Sequence, residues 1–386
     1  MSRGLEMRDL HIVSFSAVTW DFPLVGRTRM LAEAWGRSSQ PTTFVQVPSI
    51  RTAIQRLRRH PGRSGAVEIL RPWPTYPFTC WEGFETSRLL NAVRRSARDL
   101  RRQLERRVRL RDSIAIVVSP VWTRWLDTLP FRAVVYDCID DAGIHVPVPG
   151  LEPLYRDWEK DLVRKSCAAA ASATPLVDHL RSLRRDLPIA TIRNGVDPGW
   201  IKRCEHADRR PHDLPSGRRP IVGFVGALYD WLDWTLVQSV AERLPDVDFV
   251  FVGPRSRRSR SDLLPRSSNV HLLGHRRYED IPAYLRAFDV CWIPFKEDRI
   301  TQAANPVKVY EYLAFGKRVV STPLPDVESF QGFVSVGRSP AGIADVLSAE
   351  LRSSPHDSRD RVSFAKANSW DARASEYLCF LESVCP

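Results

Sequence analysis

Apolar positions in this chain come as short unbroken runs, separated by longer stretches in which they recur every three or four residues. The first pattern marks strands buried on both faces, and the second marks helices that cover them. In the first half the runs fall at 10–15, 43–47, 67–70, 114–119 and 133–136, with shorter pieces near Ser172 and Ala190. Helical spacing spans 27–35 and 153–170, and the arginine-rich stretch 88–111 is helical by propensity. The second half repeats the alternation, with strands at 221–225, 249–252, 270–273 and 290–294 and helices at 234–244 and 278–288. Its strands end at Gly226, Gly253, Gly274 and Pro294. Such alternation predicts an α/β protein of two Rossmann-like domains facing a central cleft. Ligands of these sheets sit beyond the carboxyl ends of the strands, where those residues lie.

The stretch 305–322 concentrates the candidate chemistry. Asn305 reads as an N-cap, Pro306 as the first helical residue and Gly316 as the left-handed residue that ends the helix. Val319 and Val320 then begin a buried strand. Lys308 and Glu311 stand three apart and so share one helix face. A helix N-terminus with a lysine in its first turn attracts phosphate, and a carboxylate one turn on can accept both hydroxyls of a ribose diol. Phosphate beside diol describes a nucleotide. The plainer reading of the same residues is a capped surface helix with an ion pair.

Composition sets the frame. The 386 residues are 43% hydrophobic and 26% charged with 12 tryptophans, enough for two domains with real cores. Seven cysteines occur without any CxxC spacing, which argues for reduced thiols in a cytoplasmic setting. No run approaches the ~18 apolar residues that span a bilayer. The net charge is +12 and uneven: the region from Arg88 to Arg111 holds ten arginines against Asp99 and Glu105, and 51–59 adds a smaller basic segment. That face suits an anionic membrane surface, which would make the protein peripheral on the inner face of the plasma membrane, or it is simply solvated. Nucleic acid is not expected, because no helix-turn-helix, zinc-finger or RNP-type signature accompanies the charge. Dinucleotide, P-loop, nucleophile-elbow and zincin motifs are missing, as is any His/Cys cluster with metal-ligand spacing.

Four ordered segments carry a resemblance: VGFVGALYDW at 222–231, FVGP at 251–254, NVHLLG at 269–274 and NPVKVYEYLAFG at 305–316. Together they resemble the bacterial GT-B glycosyltransferases, and more narrowly the glycosyl transferases of group 1 that build surface polysaccharides. The likeness is strong over 190–325, and VYDCIDD at 135–141 and NGVD at 194–197 extend it. It implies an acceptor-binding domain at 1–200, a nucleotide-sugar-binding domain at 201–368, and a helix at 369–386 that returns to the first domain. Glu311 matches the family glutamate that binds the donor ribose. Asn305, Pro306 and Lys308 would lie by the diphosphate, and the backbone of Gly226 and Ala227 would approach it closely. Arg276 and Arg277, with His275, would sit against the nucleobase. No cofactor or metal is implied, and the partners are a nucleotide sugar and a glycan or lipid-linked acceptor.

Two departures stand out. The family's Glu-x7-Glu pattern puts its first glutamate at 303, which here is Ala303, and the Arg and Lys common after the Gly226-type glycine are missing from 227–231. Lys308, Arg299 or Arg27 would then neutralise phosphate. Catalysis shifts to the first half, where Asp140 follows a strand and matches the catalytic aspartate of a xanthan-type glucuronosyltransferase. Asp140 or Asp141 could serve as the general base of an inverting transfer, or could cap the following turn. His11 and His145 lie in the same half. A nucleotide-sugar epimerase or hydrolase on the same scaffold, and a non-catalytic nucleic-acid-binding protein using the arginine face, are the alternatives.

Overall fold

The structure, a computed structural model, describes residues 10–22, 26–58, 62–73, 86–143, 150, 152–205, 210–255, 264–330, 332–353 and 358–385. His145 lies outside them. The chain divides into two units, one of Met1–Arg193 with Trp370–Pro386, the other of Asn194–Ser369.

Unit 1 is built on an eight-stranded sheet: β1 His11–Phe15, β2 Thr42–Val45, β3 Arg63–Ser64, β4 Val67–Leu70, β5 Ser113–Val117, β6 Ala133–Cys138, β7 Ala168–Ala171 and β8 Ile189–Thr191. They run in the order β3-β4-β2-β1-β5-β6-β7-β8, parallel except for the short β3–β4 hairpin. The expected helix at 153–170 stops at Lys165, and β7 follows as four fully buried alanines paired to β6 and β8. Alanine favours helix, but between two strands only a small side chain fits both crowded faces, and packing overrides propensity. The Trp370–Val384 helix belongs to this unit, with the indole N–H of Trp35 donating to the carbonyl of Ala374 and the Tyr377 ring 5.4 Å away, edge-on.

Unit 2 carries β9 Ile221–Val225, β10 Asp248–Val252, β11 Val270–Gly274, β12 Val290–Ile293, β13 Arg318–Ser321 and β14 Val334–Val336. All are parallel, in the order β11-β10-β9-β12-β13-β14. That order is the doubly wound one, reversing between β9 and β12, and the crevice at such a reversal is where ligands bind. Apolar clusters cover both faces of the sheet, one around Val309, Tyr312 and Leu313, the other around Val237, Phe249 and Trp292. Two Rossmann-like units therefore make up the chain.

Candidate functional site

The helix expected from Pro306 runs from Val307 to Ala314, with Pro306 itself as N-cap in an extended conformation and no side chain capping the first turn. Asn305 does not cap it. It is 4% exposed, and its Oδ1 accepts the N–H of Asn194 at 2.9 Å while its Nδ2 donates to Asp326. Its carbonyl accepts from the Asn194 side chain at 2.7 Å. A side chain engaged in holding the 194–197 turn cannot also reach the helix amides. This corrects the N-cap assignment, and it leaves the first-turn amides open to a ligand anion. Gly316 closes the helix at φ +67°, as its position required.

Lys308 and Glu311 meet on one face, Nζ to Oε2 at 2.7 Å, with the Glu311 side chain 10% exposed and that of Lys308 29%. Their neighbour is the end of β9. A Cβ on Gly226 would stand 2.9 Å from Cζ of Phe224 and 3.4 Å from Cε of Lys308, so the lysine stem lies alongside this glycine. Gly253 is packed still more closely: a Cβ there would fall 1.7 Å from the Gly226 carbonyl oxygen. Its own N–H donates to Gly274 at 2.9 Å. Three strand-end glycines thus form one continuous backbone ledge beside Lys308. Ala227 is buried behind it.

Residues that the sequence reading assigned no role complete the surroundings. The indole N–H of Trp200 donates to the backbone carbonyl of Glu311 at 3.3 Å, and the Tyr278 ring lies against Trp200 tilted by 32° with ring centres 4.8 Å apart. Arg203 lies 5.0 Å from the Tyr278 ring centre and pairs with Asp197 at 2.7 Å. Burial pushes the Tyr278 hydroxyl up, and the charges of Glu311 and Asp197 push it further. The hydroxyl therefore stays protonated. The NGVD turn was the available signal: Asn194 ties down Asn305, and Asp197 anchors the helix that carries Trp200.

The other sequence candidates are dispersed. Arg276 is tied to Tyr284 at 2.8 Å and to Asp213, and Arg277 pairs with Asp280 at 3.1 Å on an exposed face. Arg299 is exposed and opens a short helix capped by Asp298. Ala303 is buried just beyond that helix. In unit 1, Arg27 is 5% exposed and grips Asp137 through Nε and Nη2 at 3.0–3.2 Å, while Nη1 donates to the carbonyl of Arg193. Its charge is met internally by Asp137. Asp140 and Asp141 follow β6. Asp141 accepts the N–H of Gly143 at 2.8 Å and faces Arg156 at 3.4 Å. His11 bonds Thr43 within the sheet at 2.8 Å. Among the described residues, no group of three His, Cys, Asp or Glu is placed to hold a metal ion.

Two Rossmann-like units, the second carrying the glycine ledge and the Lys308–Glu311 helix, are the parts of a GT-B protein. Comparison with known proteins bears on the fold. Residues 219–352 match the family model Glycosyl transferases group 1. TuaH of Bacillus subtilis (strain 168), a glycosyltransferase assigned to teichuronic acid biosynthesis, is 30% identical over 212 residues, 51% of this chain and 52% of that protein. The chain thus spans about half the length of this curated relative in the match. Among solved structures, a sucrose-phosphate synthase from Thermosynechococcus elongatus superposes with a TM-score of 0.70 at 13% identity, covering 97% and 98% of the two chains. HepE of Anabaena, crystallised with UDP and glucose, gives 0.65 at 14% identity over 97% and 99%. At such identities these likenesses establish the fold. The chain has the GT-B fold, and its residues 219–352 resemble the glycosyl transferases of group 1.

Proposed function

We propose that this protein transfers a sugar from a nucleotide-diphosphate donor to a glycan or lipid-linked acceptor in the biosynthesis of a surface polysaccharide. One observation carries the reading: Lys308 and Glu311 share a helix face at the β9 strand end, with the lysine stem beside Gly226 and the helix N-terminus uncapped. Lys308 and the first-turn amides receive the diphosphate, and Glu311 accepts the ribose diol. Donor binding therefore opens the Lys308–Glu311 pair. No metal ion is assigned a part. TuaH supports the polysaccharide setting, and HepE suggests UDP as the first nucleotide to test.

Asp140, two residues past the end of β6, is assigned the general base. In an inverting transfer it would take the proton of the acceptor hydroxyl as that oxygen bonds the anomeric carbon and the nucleoside diphosphate leaves. Glu311→Ala should weaken UDP binding about tenfold or more, the loss expected for charge-assisted hydrogen bonds. Calorimetry showing unchanged affinity for both UDP and GDP would overturn the ribose assignment. In the same series Asp140→Asn should keep nucleotide affinity and lose turnover; retained turnover removes it as base.

A further inference from the structure

Unit 1 carries a pair of thiols that none of the chemistry above uses. Cys167 stands immediately before β7, and its N–H donates to the carbonyl of Val134 at 2.9 Å. Cys385 follows the Trp370–Val384 helix, and its N–H donates to the carbonyl of Leu381 at 2.9 Å. Each backbone is thus fixed, one at a strand start and the other at a helix end. Between them the two sulfurs approach to 3.4 Å, close enough for one thiol to hydrogen-bond the other. A disulfide bond is about 2.0 Å long, and a turn of either χ1 moves a sulfur further than the distance left.

The two thiols are unequal, as an attacking and a resolving cysteine must be. Cys167 is half-buried and open to a small oxidant, whereas Cys385 is 7% exposed. The Cys385 thiol bonded to Cys167 holds the Cys167 pKa down to about 7. The Arg184 guanidinium adds a positive charge from close by, its Nη1 donating to the carbonyl of Ser166 at 2.8 Å. The bond between the sulfurs pushes Cys385 up, so Cys385 keeps its proton while Cys167 loses one. Other cysteines lack this arrangement. Cys138 and Cys291 are fully buried, and burial pushes their thiols up, that of Cys291 to about 12. An oxidant arriving at Cys167 therefore meets a thiolate with a second thiol already in contact with it.

We infer that Cys167 and Cys385 form a reversible disulfide when a hydroperoxide oxidises Cys167, tying the end of the Trp370–Val384 helix to the start of β7. The Cys167 thiolate attacks one peroxide oxygen, the O–O bond breaks, and hydroxide leaves to take a solvent proton as water. The Cys385 sulfur then bonds the Cys167 sulfur, the S–O bond breaks, and the oxygen departs with the Cys385 proton as a second water. Two electrons pass from the sulfur pair to the peroxide. The bond spans 218 positions that include all of unit 2, and so joins the two sequence segments of unit 1 covalently. To test this, the reduced full chain would be treated with hydrogen peroxide, blocked with N-ethylmaleimide and mapped by peptide mass spectrometry. The intact mass should fall by two hydrogen atoms, fragmentation should place the link at Cys385 rather than Cys379, and dithiothreitol should reverse both changes. Cys385→Ser should lose the link and expose a Cys167 sulfenic acid, with dimedone trapping about tenfold or more above that of the unmodified chain. Chain unfolded in urea before the peroxide should lose the selective pairing. Should the variant fail to fold, the map of the unmodified chain decides alone. Cys167 paired elsewhere, Cys167 oxidised singly to sulfinic acid, or both thiols left unreacted would overturn the proposal.

Discussion

At the scale of single residues, sequence distance hides the partners that set behaviour. Cys167 and Cys385 stand 218 positions apart, yet their sulfurs approach to 3.4 Å within unit 1. The Cys385 thiol bonded to Cys167 holds the latter's pKa down to about 7, and the same bond pushes Cys385 up. A lowered pKa means thiolate at lower pH, so Cys167 should alkylate with a rate midpoint near 7. In Cys385→Ala that midpoint should rise toward ~8.5, the ordinary thiol value. Iodoacetamide kinetics followed by peptide mass spectrometry would check this, with exposed Cys379 as internal reference; an unmoved midpoint refutes it. Asn305 teaches the same lesson. Its type and place before a helix are those of a cap, and nothing local announces that Asn194, 111 positions earlier, claims the side chain.

At the scale of elements, most of the fold could be read directly. The run at 221–225 is β9 residue for residue, because strands of a parallel sheet bury both faces and leave continuous apolar stretches. The polyalanine β7 could not be read so, since its strand character comes from its neighbours. Glycines after β9, β10 and within β11 were visible as turn signals, but their mutual contact was not. Gly253→Ala should therefore disturb more than one turn. Its methyl would meet the Gly226 carbonyl 1.7 Å away, and the two strand ends must separate. The expected cost is about 1–3 kcal/mol by denaturant titration, the usual range for overpacking, together with weakened UDP binding. A variant of unchanged stability and affinity would show that the ledge tolerates a side chain.

At the scale of the whole molecule, charge is the dominant signal. Along the Thr86–Glu105 helix Val93, Ala97, Leu100 and Leu104 are buried, whereas Arg94, Arg95, Arg98, Arg101 and Arg102 are exposed. Among its salt bridges, Arg101 pairs with Glu105, and Asp99 takes Arg56. No helix among the described residues is long and apolar enough to cross a membrane. We propose that this arginine face attaches the protein peripherally to an anionic leaflet. Sedimentation with vesicles containing phosphatidylglycerol should recover the protein, and purely zwitterionic vesicles should not. Changing Arg94, Arg95, Arg101 and Arg102 to Gln should abolish recovery; equal recovery on both vesicle types would argue against the idea.

By itself the sequence determined the alternation of strands and helices, the glycines at strand ends and the Lys308–Glu311 spacing. These are properties of neighbours along the chain, and periodicity and turn chemistry express them locally. Tertiary structure alone decided that Arg27 is consumed by Asp137, that Asn305 braces a distant turn, and that Trp20, Gln46, Gln55 and Arg71 share one pocket. Each depends on which strands the sheet places side by side, and strand order is settled by packing between segments many residues apart.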